Sequence, residues 1–418
     1  MSSRRRGRGR KRSAPGSARS SGALGFGLAV GAAASVLLGA HFAKRVLTPA
    51  PRPENGVTVL TLEPSETSPG GMRVWLRGPD ADLEGEYSFI FDARSRETQH
   101  LAGHARLGPV LRTVRTVGGV CVLRDVLGVQ RGDLRPGARG RVTGWWYTEP
   151  EQLGYDVRTV ALPQPFGVGW GWVISPERPE PGRWAVHVHG RGALPHETLR
   201  GVGVFAEAGI TSLVIAYRND MGAPSGLGGR YGLGLAEQQD VDAAVGWTRT
   251  QGATRVTLVG WSMGGTAALL AAGEGRNSDL VDGMVLDSPA LDWPALLRRQ
   301  ARIARLPGFI AELGILLLRT GRVRGAVPGA AGTDIGGLTA QRLAALIRVP
   351  TLIHASPDDT FVPWQGALRV ARLRSAFVRL RPGRGEHVKL WNVDPEGWNA
   401  ETAQFIRGLG DPRPNARG

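Results

Sequence analysis

The run Val256-Thr-Leu-Val-Gly-Trp-Ser-Met-Gly-Gly265 decides how this 418-residue chain reads. Four mostly β-forming residues lead into Gly260-Trp-Ser-Met-Gly264, and a stretch of small helix-forming residues, Thr266 to Ala272, follows. Strand, tight turn and helix around G-x-S-x-G is the context in which a serine stands out on a strained corner. Glycines at 260 and 264 let strand and helix approach each other closely enough to form that corner. Ser262 is therefore the candidate nucleophile.

Outward from this corner, strand and helix patterns alternate. β-forming runs fall at 157–162, 169–174, 184–189, 211–217, 256–259, 283–287, 351–354 and 376–380, with helical stretches between them at 197–208 and 234–250 and one after the last run at 402–409. That alternation predicts an α/β domain with a mostly parallel eight-stranded sheet and the serine after its fifth strand.

A serine hydroxyl is a weak nucleophile until a histidine takes its proton and a carboxylate holds the histidine in the right tautomer. After the next-to-last strand comes His354-Ala-Ser-Pro-Asp358-Asp359-Thr-Phe-Val-Pro363. Asp359 has D-x-x-V-P spacing and is the preferred acid, with Asp358 the alternative. After the last strand, His387 lies in the glycine-rich stretch Gly383-Arg-Gly-Glu-His387 and is the candidate base. Oxyanion donors are expected from the amide of Met263 and from the loop after the third strand, His187-Val-His-Gly-Arg-Gly192, through the amide of Arg191 or Gly190. His187 and His189 themselves read as structural.

These segments, with Tyr217-Arg-Asn-Asp-Met-Gly-Ala-Pro224, Leu286-Asp-Ser-Pro289 and His387-Val-Lys-Leu-Trp-Asn-Val-Asp-Pro395, resemble the α/β-hydrolase superfamily. More narrowly, they are similar to membrane-anchored serine hydrolases of actinobacteria related to its esterase and prolyl-oligopeptidase-like branches. The resemblance covers residues 155–410 and implies an α/β-hydrolase fold. It implies Ser262 as nucleophile, Asp359 as acid and His387 as base, acting on a small-molecule ester or acyl substrate without cofactor or metal. A serine peptidase of prolyl-oligopeptidase-like type is the alternative within the class. One departure is the extra residue between His354 and Asp359. The insertion at about 291–347, rich in leucine and arginine, implies a cap over the site.

The rest of the chain carries weaker signals. Residues 55–152 contain short β-forming runs between turn residues and predict a small β-rich accessory domain. Trp145-Trp-Tyr147 reads as packing at a domain junction, and His100 and His104 as surface histidines, for want of a third metal ligand nearby. A non-catalytic envelope protein that binds a partner through this domain is the reading from another class. Residues 1–21 are basic and expected to be disordered. Residues 22–43 carry no formal charge and are long enough for one membrane-spanning helix, with the basic N-terminus in the cytoplasm and the catalytic domain outside. A linker at 44–54 and a flexible tail at 411–418 complete the expected organisation. Of the net charge of +16, eleven charges lie within residues 1–53, which hold no Asp or Glu, leaving five for the remainder. Nucleic acid is therefore not an expected partner. A single cysteine, Cys121, excludes an intrachain disulfide.

Overall fold

The computed structural model describes residues 37–41, 44–48, 55–65, 70–95, 98–226, 228–320 and 334–409. Two sheets organise them. The first is a closed six-stranded barrel of β1 (Val57–Pro64), β2 (Met72–Arg77), β3 (Tyr87–Phe91), β4 (Gly103–Thr116), β5 (Gly119–Arg131) and β6 (Arg139–Thr143), in the order β1-β2-β5-β4-β3-β6. Alternation along these strands points Val57, Val59, Val74, Leu76, Phe89, Leu107 and Val122 inward as one core.

The second sheet has eight strands: β7 (Asp156–Gln164), β8 (Gly167–Ser175), β9 (Arg183–Val188), β10 (Thr211–Ile215), β11 (Arg255–Trp261), β12 (Val281–Asp287), β13 (Thr351–Ala355) and β14 (Val378–Pro382). Their order is β14-β13-β12-β11-β9-β10-β8-β7. The run from β14 to β10 is parallel, and β8 joins it antiparallel, followed by β7. Strands β9 and β10 are buried along their whole length, as a parallel sheet covered on both faces requires. The covering helices are α1 (Gly203–Glu207), α2 (Gln238–Thr250), α3 (Met263–Glu274), α4 (Trp293–Ile303), α5 (Gly308–Thr320), α6 (Ala340–Leu346), α7 (Gln365–Leu373), α8 (Leu390–Val393) and α9 (Pro395–Gly408). The expected helix at 197–208 is a 3-10 segment, Pro195–Gly201, followed by the short α1. Pro195 starts it, and the glycines at 201 and 203 shorten it.

The expectations for the two histidines, His100 and His104, change. His104 is not a surface histidine: it is fully buried in β4, with Ser88 Oγ at 2.7 Å and Thr148 Oγ1 at 3.4 Å from its ring nitrogens. Its helical spacing from His100 carries no meaning, because β4 begins at Gly103. Trp145 stacks on His196, with ring centroids 5.2 Å apart, and His100 stacks on His196 at 4.8 Å, so these rings pack the junction between barrel and sheet.

Among the described residues, no helix is long and apolar enough to cross a membrane. The expected span at 22–43 lies outside the described residues except for 37–41, which are helical and pack against the second unit. The tails at 1–21 and 411–418, and most of the linker at 44–54, also lie outside them.

Candidate active site

Strand β11 ends at Trp261, and α3 starts at Met263. Ser262 between them has φ 55 and ψ −117, a backbone state that side-chain-bearing residues seldom take. Its amide donates to the Asp287 carbonyl at 2.9 Å, and its own carbonyl accepts from Ala290 at 3.1 Å, so neighbouring β12 holds the corner in place. The flanking glycines are obligatory: a Cβ on Gly260 would meet the Gly265 backbone, and one on Gly264 would meet the Val188 carbonyl.

The side chains converge on this serine. Ser262 Oγ lies 2.8 Å from His387 Nε2, and His387 Nδ1 lies 2.7 Å from Asp359 Oδ2. A carboxylate can only accept, so Nδ1 carries the proton and Nε2 faces the serine as the acceptor. Asp359 Oδ1 accepts from the amides of Phe361 and Val362, each at 2.8 Å, which turns the carboxyl inward. Asp358 points outward and is exposed; its amide donates to Ser356 Oγ at 3.0 Å. Helix α4 braces the acid turn: Arg299 Nε donates to the Thr360 carbonyl at 2.7 Å and Gln300 Nε2 to that of Phe361 at 3.0 Å. The Phe361 ring stacks on His387 at 5.1 Å.

The loop after β9 passes beside the serine. Gly190 donates its amide to Glu197 Oε2 at 3.2 Å, so that amide is committed elsewhere and the oxyanion reading for this loop moves to Arg191. Gly192 donates to Tyr231 Oη at 2.9 Å, and Tyr217 Oη is 3.0 Å from the Gly190 carbonyl, fixing the loop on both sides. The amide of Met263, at the first position of α3, has no acceptor within its own helix. His187 and His189 are buried beside Ser212 Oγ (3.0 Å) and Asp220 Oδ2 (2.8 Å) respectively.

Sequence reading missed the groups that hold the histidine loop. Val388, next to His387, has φ 52 and donates its amide to Ser288 Oγ at 3.1 Å. Ser288 Oγ in turn donates to Asp287 Oδ1 at 2.9 Å, and Trp398 Nε1 donates to Asp287 Oδ2 at 2.9 Å. Burial pushes the Asp287 carboxyl up to about 6, against the opposing pull of Arg200 and of those two bonds. Arg200, also buried, donates one Nη to the Val388 carbonyl at 2.6 Å and the other to the Gly144 carbonyl at the end of the barrel. Asn392 Nδ2 donates to the same Gly144 carbonyl at 3.1 Å and to that of Glu86 at 2.9 Å. Leu286-Asp-Ser-Pro289 and His387-Val-Lys-Leu-Trp-Asn-Val-Asp-Pro395 stood out in the sequence, but without a role for Asp287, Ser288, Val388 or Asn392, and Arg200 and Trp398 did not stand out.

A cavity of about 590 Å³ opens over Ser262 and His387, with Trp293, Leu296, Ile303 and Leu306 of the cap on one side. Two of the cap arginines are engaged: Arg298 pairs with Glu312 at 2.6 Å, and Arg299 braces the acid turn. Among the described residues, no cluster of His, Cys, Asp or Glu could hold a metal ion.

The sheet order, the crossovers and the strained serine corner define an α/β-hydrolase fold for the second unit. In agreement, residues 235–307 match the family model described as alpha/beta hydrolase fold. Residues 59–143, the barrel, match a domain of unknown function (DUF8805). No curated protein matches the chain. Similar solved structures include an esterase of Pyrococcus furiosus (18% identity, TM-score 0.48, covering 62% of this chain and 95% of that one). Another is Est1E of Butyrivibrio proteoclasticus (15% identity, TM-score 0.43, covering 60% and 98%). A puromycin-hydrolysing peptidase of Mycobacterium tuberculosis is similar over more of the chain (18% identity, TM-score 0.46, covering 82% of this chain and 47% of that one).

Proposed function

We propose that the protein is a membrane-tethered serine hydrolase that cleaves carboxylic esters through an acyl-enzyme. The observation that supports this most is the unbroken relay from Asp359 through His387 to Ser262 Oγ, at 2.7 and 2.8 Å, opening onto an apolar cavity. In the first half-reaction, Ser262 Oγ attacks the ester carbonyl and passes its proton to His387 Nε2. Asp359 stabilises the imidazolium that forms, and the amides of Met263 and Arg191 receive the oxyanion. His387 then protonates the departing alkoxide, leaving the acyl group on Ser262. In the second half, His387 takes a proton from water, which attacks the acyl carbonyl, and Ser262 leaves with that proton.

The uncharged run that begins at residue 22, behind eight basic residues, supports a tether with the catalytic unit outside the cytoplasm, residues 37–41 at its far end packing on the hydrolase unit and not in the membrane. A reporter fused after residue 418 should be active only on the outer side of the membrane; activity in the cytoplasm overturns that orientation. For the chemistry, a fluorophosphonate should label the wild-type chain and leave Ser262→Ala unlabelled, and equal labelling overturns the nucleophile. Turnover of p-nitrophenyl esters without turnover of aminoacyl amides separates the esterase from the peptidase alternative. Absence of both turnover and labelling would favour a non-catalytic binding role.

A further inference from the structure

The cavity above Ser262 has a wall that does not come from the hydrolase unit. Leu38, His41, Arg45 and Val46 line it opposite the cap, more than two hundred residues before the serine in sequence. Three separate contacts fix this segment. Leu47 is 1% exposed and belongs to the main core of the second unit, and its carbonyl accepts from the Tyr231 amide at 2.9 Å. The Val46 carbonyl accepts from Arg191 Nη1 at 3.1 Å, tying the segment to the loop that passes beside Ser262. At its other end Gly39 and Ala40 are buried, and a Cβ on Gly39 would lie 3.2 Å from Leu313 Cγ on α5. The segment is therefore wedged between the cap and the oxyanion loop.

The chemistry of this wall says what it would hold. Leu38 and Ile303 both line the cavity while being 50% and 58% exposed, so the two mark its mouth, and both are apolar. Leu37, next to Leu38, and Phe309, six residues after Ile303, are also exposed. Inside, Val46, Trp293, Leu296 and Leu306 form an apolar trough that leads down to Ser262, with His41, Arg45, Arg191 and Gln300 as the polar part of the lining. An apolar mouth and an apolar trough stabilise a long alkyl chain along their whole length, whereas an acetyl group reaches little of either.

We propose that residues 37–41 and 44–47 are a specificity element: they form one side of an acyl-chain site, so the chain selects long-chain, amphiphilic acyl esters over short ones. The inference rests on the esterase reading of Ser262. It also gives the N-terminal segment a catalytic consequence beyond any tethering: the segment shapes the substrate site that the hydrolase unit leaves open.

The test compares p-nitrophenyl dodecanoate with p-nitrophenyl acetate on the full chain, as the ratio of kcat/KM values. Wild type should favour the dodecanoate. Leu38→Gln and Val46→Gln should each lower the ratio roughly tenfold, the scale on which an apolar pocket reads a few methylenes. Gly39→Leu, whose side chain must push Leu313 away, should lower it as well. Leu373→Gln, an exposed leucine of α7 outside the cavity, should leave the ratio as in wild type. Fluorophosphonate labelling of Ser262 in every variant reports an intact site, so a folding defect is not read as altered selectivity. A wild type that favours acetate, or labelled variants that keep the wild-type ratio, overturns the wall. Neither turnover nor labelling in wild type overturns the esterase reading itself, and the wall with it.

Discussion

Each of the two units buries arginines, and two of their guanidinium groups, those of Arg124 and Arg200, serve different ends. Arg124, inside the barrel and fully buried, donates to the carbonyls of Ala81, Leu83, Gly85 and Gly108, all from the same unit. Arg200, in the second unit, spends its two Nη groups on Gly144 of the barrel and on Val388 beside His387. A buried cation satisfied within one unit fixes the shape of that unit. Satisfied across two, it makes the position of one depend on the other. The same division runs through the strained backbone. In the barrel, the positive φ values of residues other than glycine fall on Asp80 and Asp92, outside the strands, whereas in the second unit three of the six, Ser262, Ser288 and Val388, lie at the candidate site, the others being Asn219, Leu233 and Arg305.

Acid should expose the contrast most strongly. Burial holds His187, His196 and His354 of the second unit down to about 3, and His104 of the barrel down to about 4. Each stays neutral when folded but takes a proton near 6.5 when unfolded, so stability is complete above 6.5 and falls as pH drops below it. At pH 5 this amounts to roughly 2 kcal/mol per histidine. Asp287 works in the opposite sense: its raised pKa adds stability as pH falls through about 6, by about 1 kcal/mol at pH 5. Urea titrations at pH 7.5 and 5 should therefore show the second unit losing more than the barrel, and equal losses would break the contrast.

Arg124→Met should come next in size, costing the barrel about 3 kcal/mol because four buried carbonyls lose their donor. Ester turnover per labelled Ser262 should stay unchanged in that variant below its unfolding transition. Arg200→Met should do the reverse in kind, lowering kcat/KM about 100-fold as the histidine loop loosens. Unchanged turnover in folded Arg200→Met would place that arginine with Arg124 as a group of shape alone. The smallest effect belongs to Asp358→Asn, expected to change kcat/KM less than twofold, whereas Asp359→Asn should lower it by roughly 10⁴. Similar losses in both would reassign the acid.

What the sequence disclosed follows from how local each signal is. The corner at Ser262 could be read because its strand, glycines and helix lie within twenty residues of chain, and the buried parallel strands because they are short apolar runs. His387 and Asp359 could be read from chain order. The choice between Asp358 and Asp359 depends on two backbone amides, at 361 and 362, and residue type carries no trace of these. Strand β6 is not legible in the sequence because Arg139-Gly-Arg-Val-Thr143 has few apolar residues, and Gly140 packs so closely on β3 that a side chain there would strike the Ile90 carbonyl. The first turn of β4 was misread for a similar reason: Gly103-His-Ala-Arg-Leu107 buries a histidine that hydroxyls satisfy. Arg200 and the segments 37–41 and 44–47 contact residues more than a hundred positions away, beyond any local pattern.

The joint at Gly144 also sets an order in time. Chains leave the ribosome N-terminus first, and early domains fold as units before later ones exist. The Gly144 carbonyl belongs to the barrel, whereas its partner Asn392 lies close to the end of the described chain, four residues after His387 comes Trp391 and then that asparagine. The barrel is therefore complete while the segment carrying the histidine is still being made, and that segment arrives last onto a finished platform. A nascent chain halted before residue 387 carries Ser262 without the histidine that faces it, so the proposed relay closes only after the barrel and the eight strands of the sheet have been made.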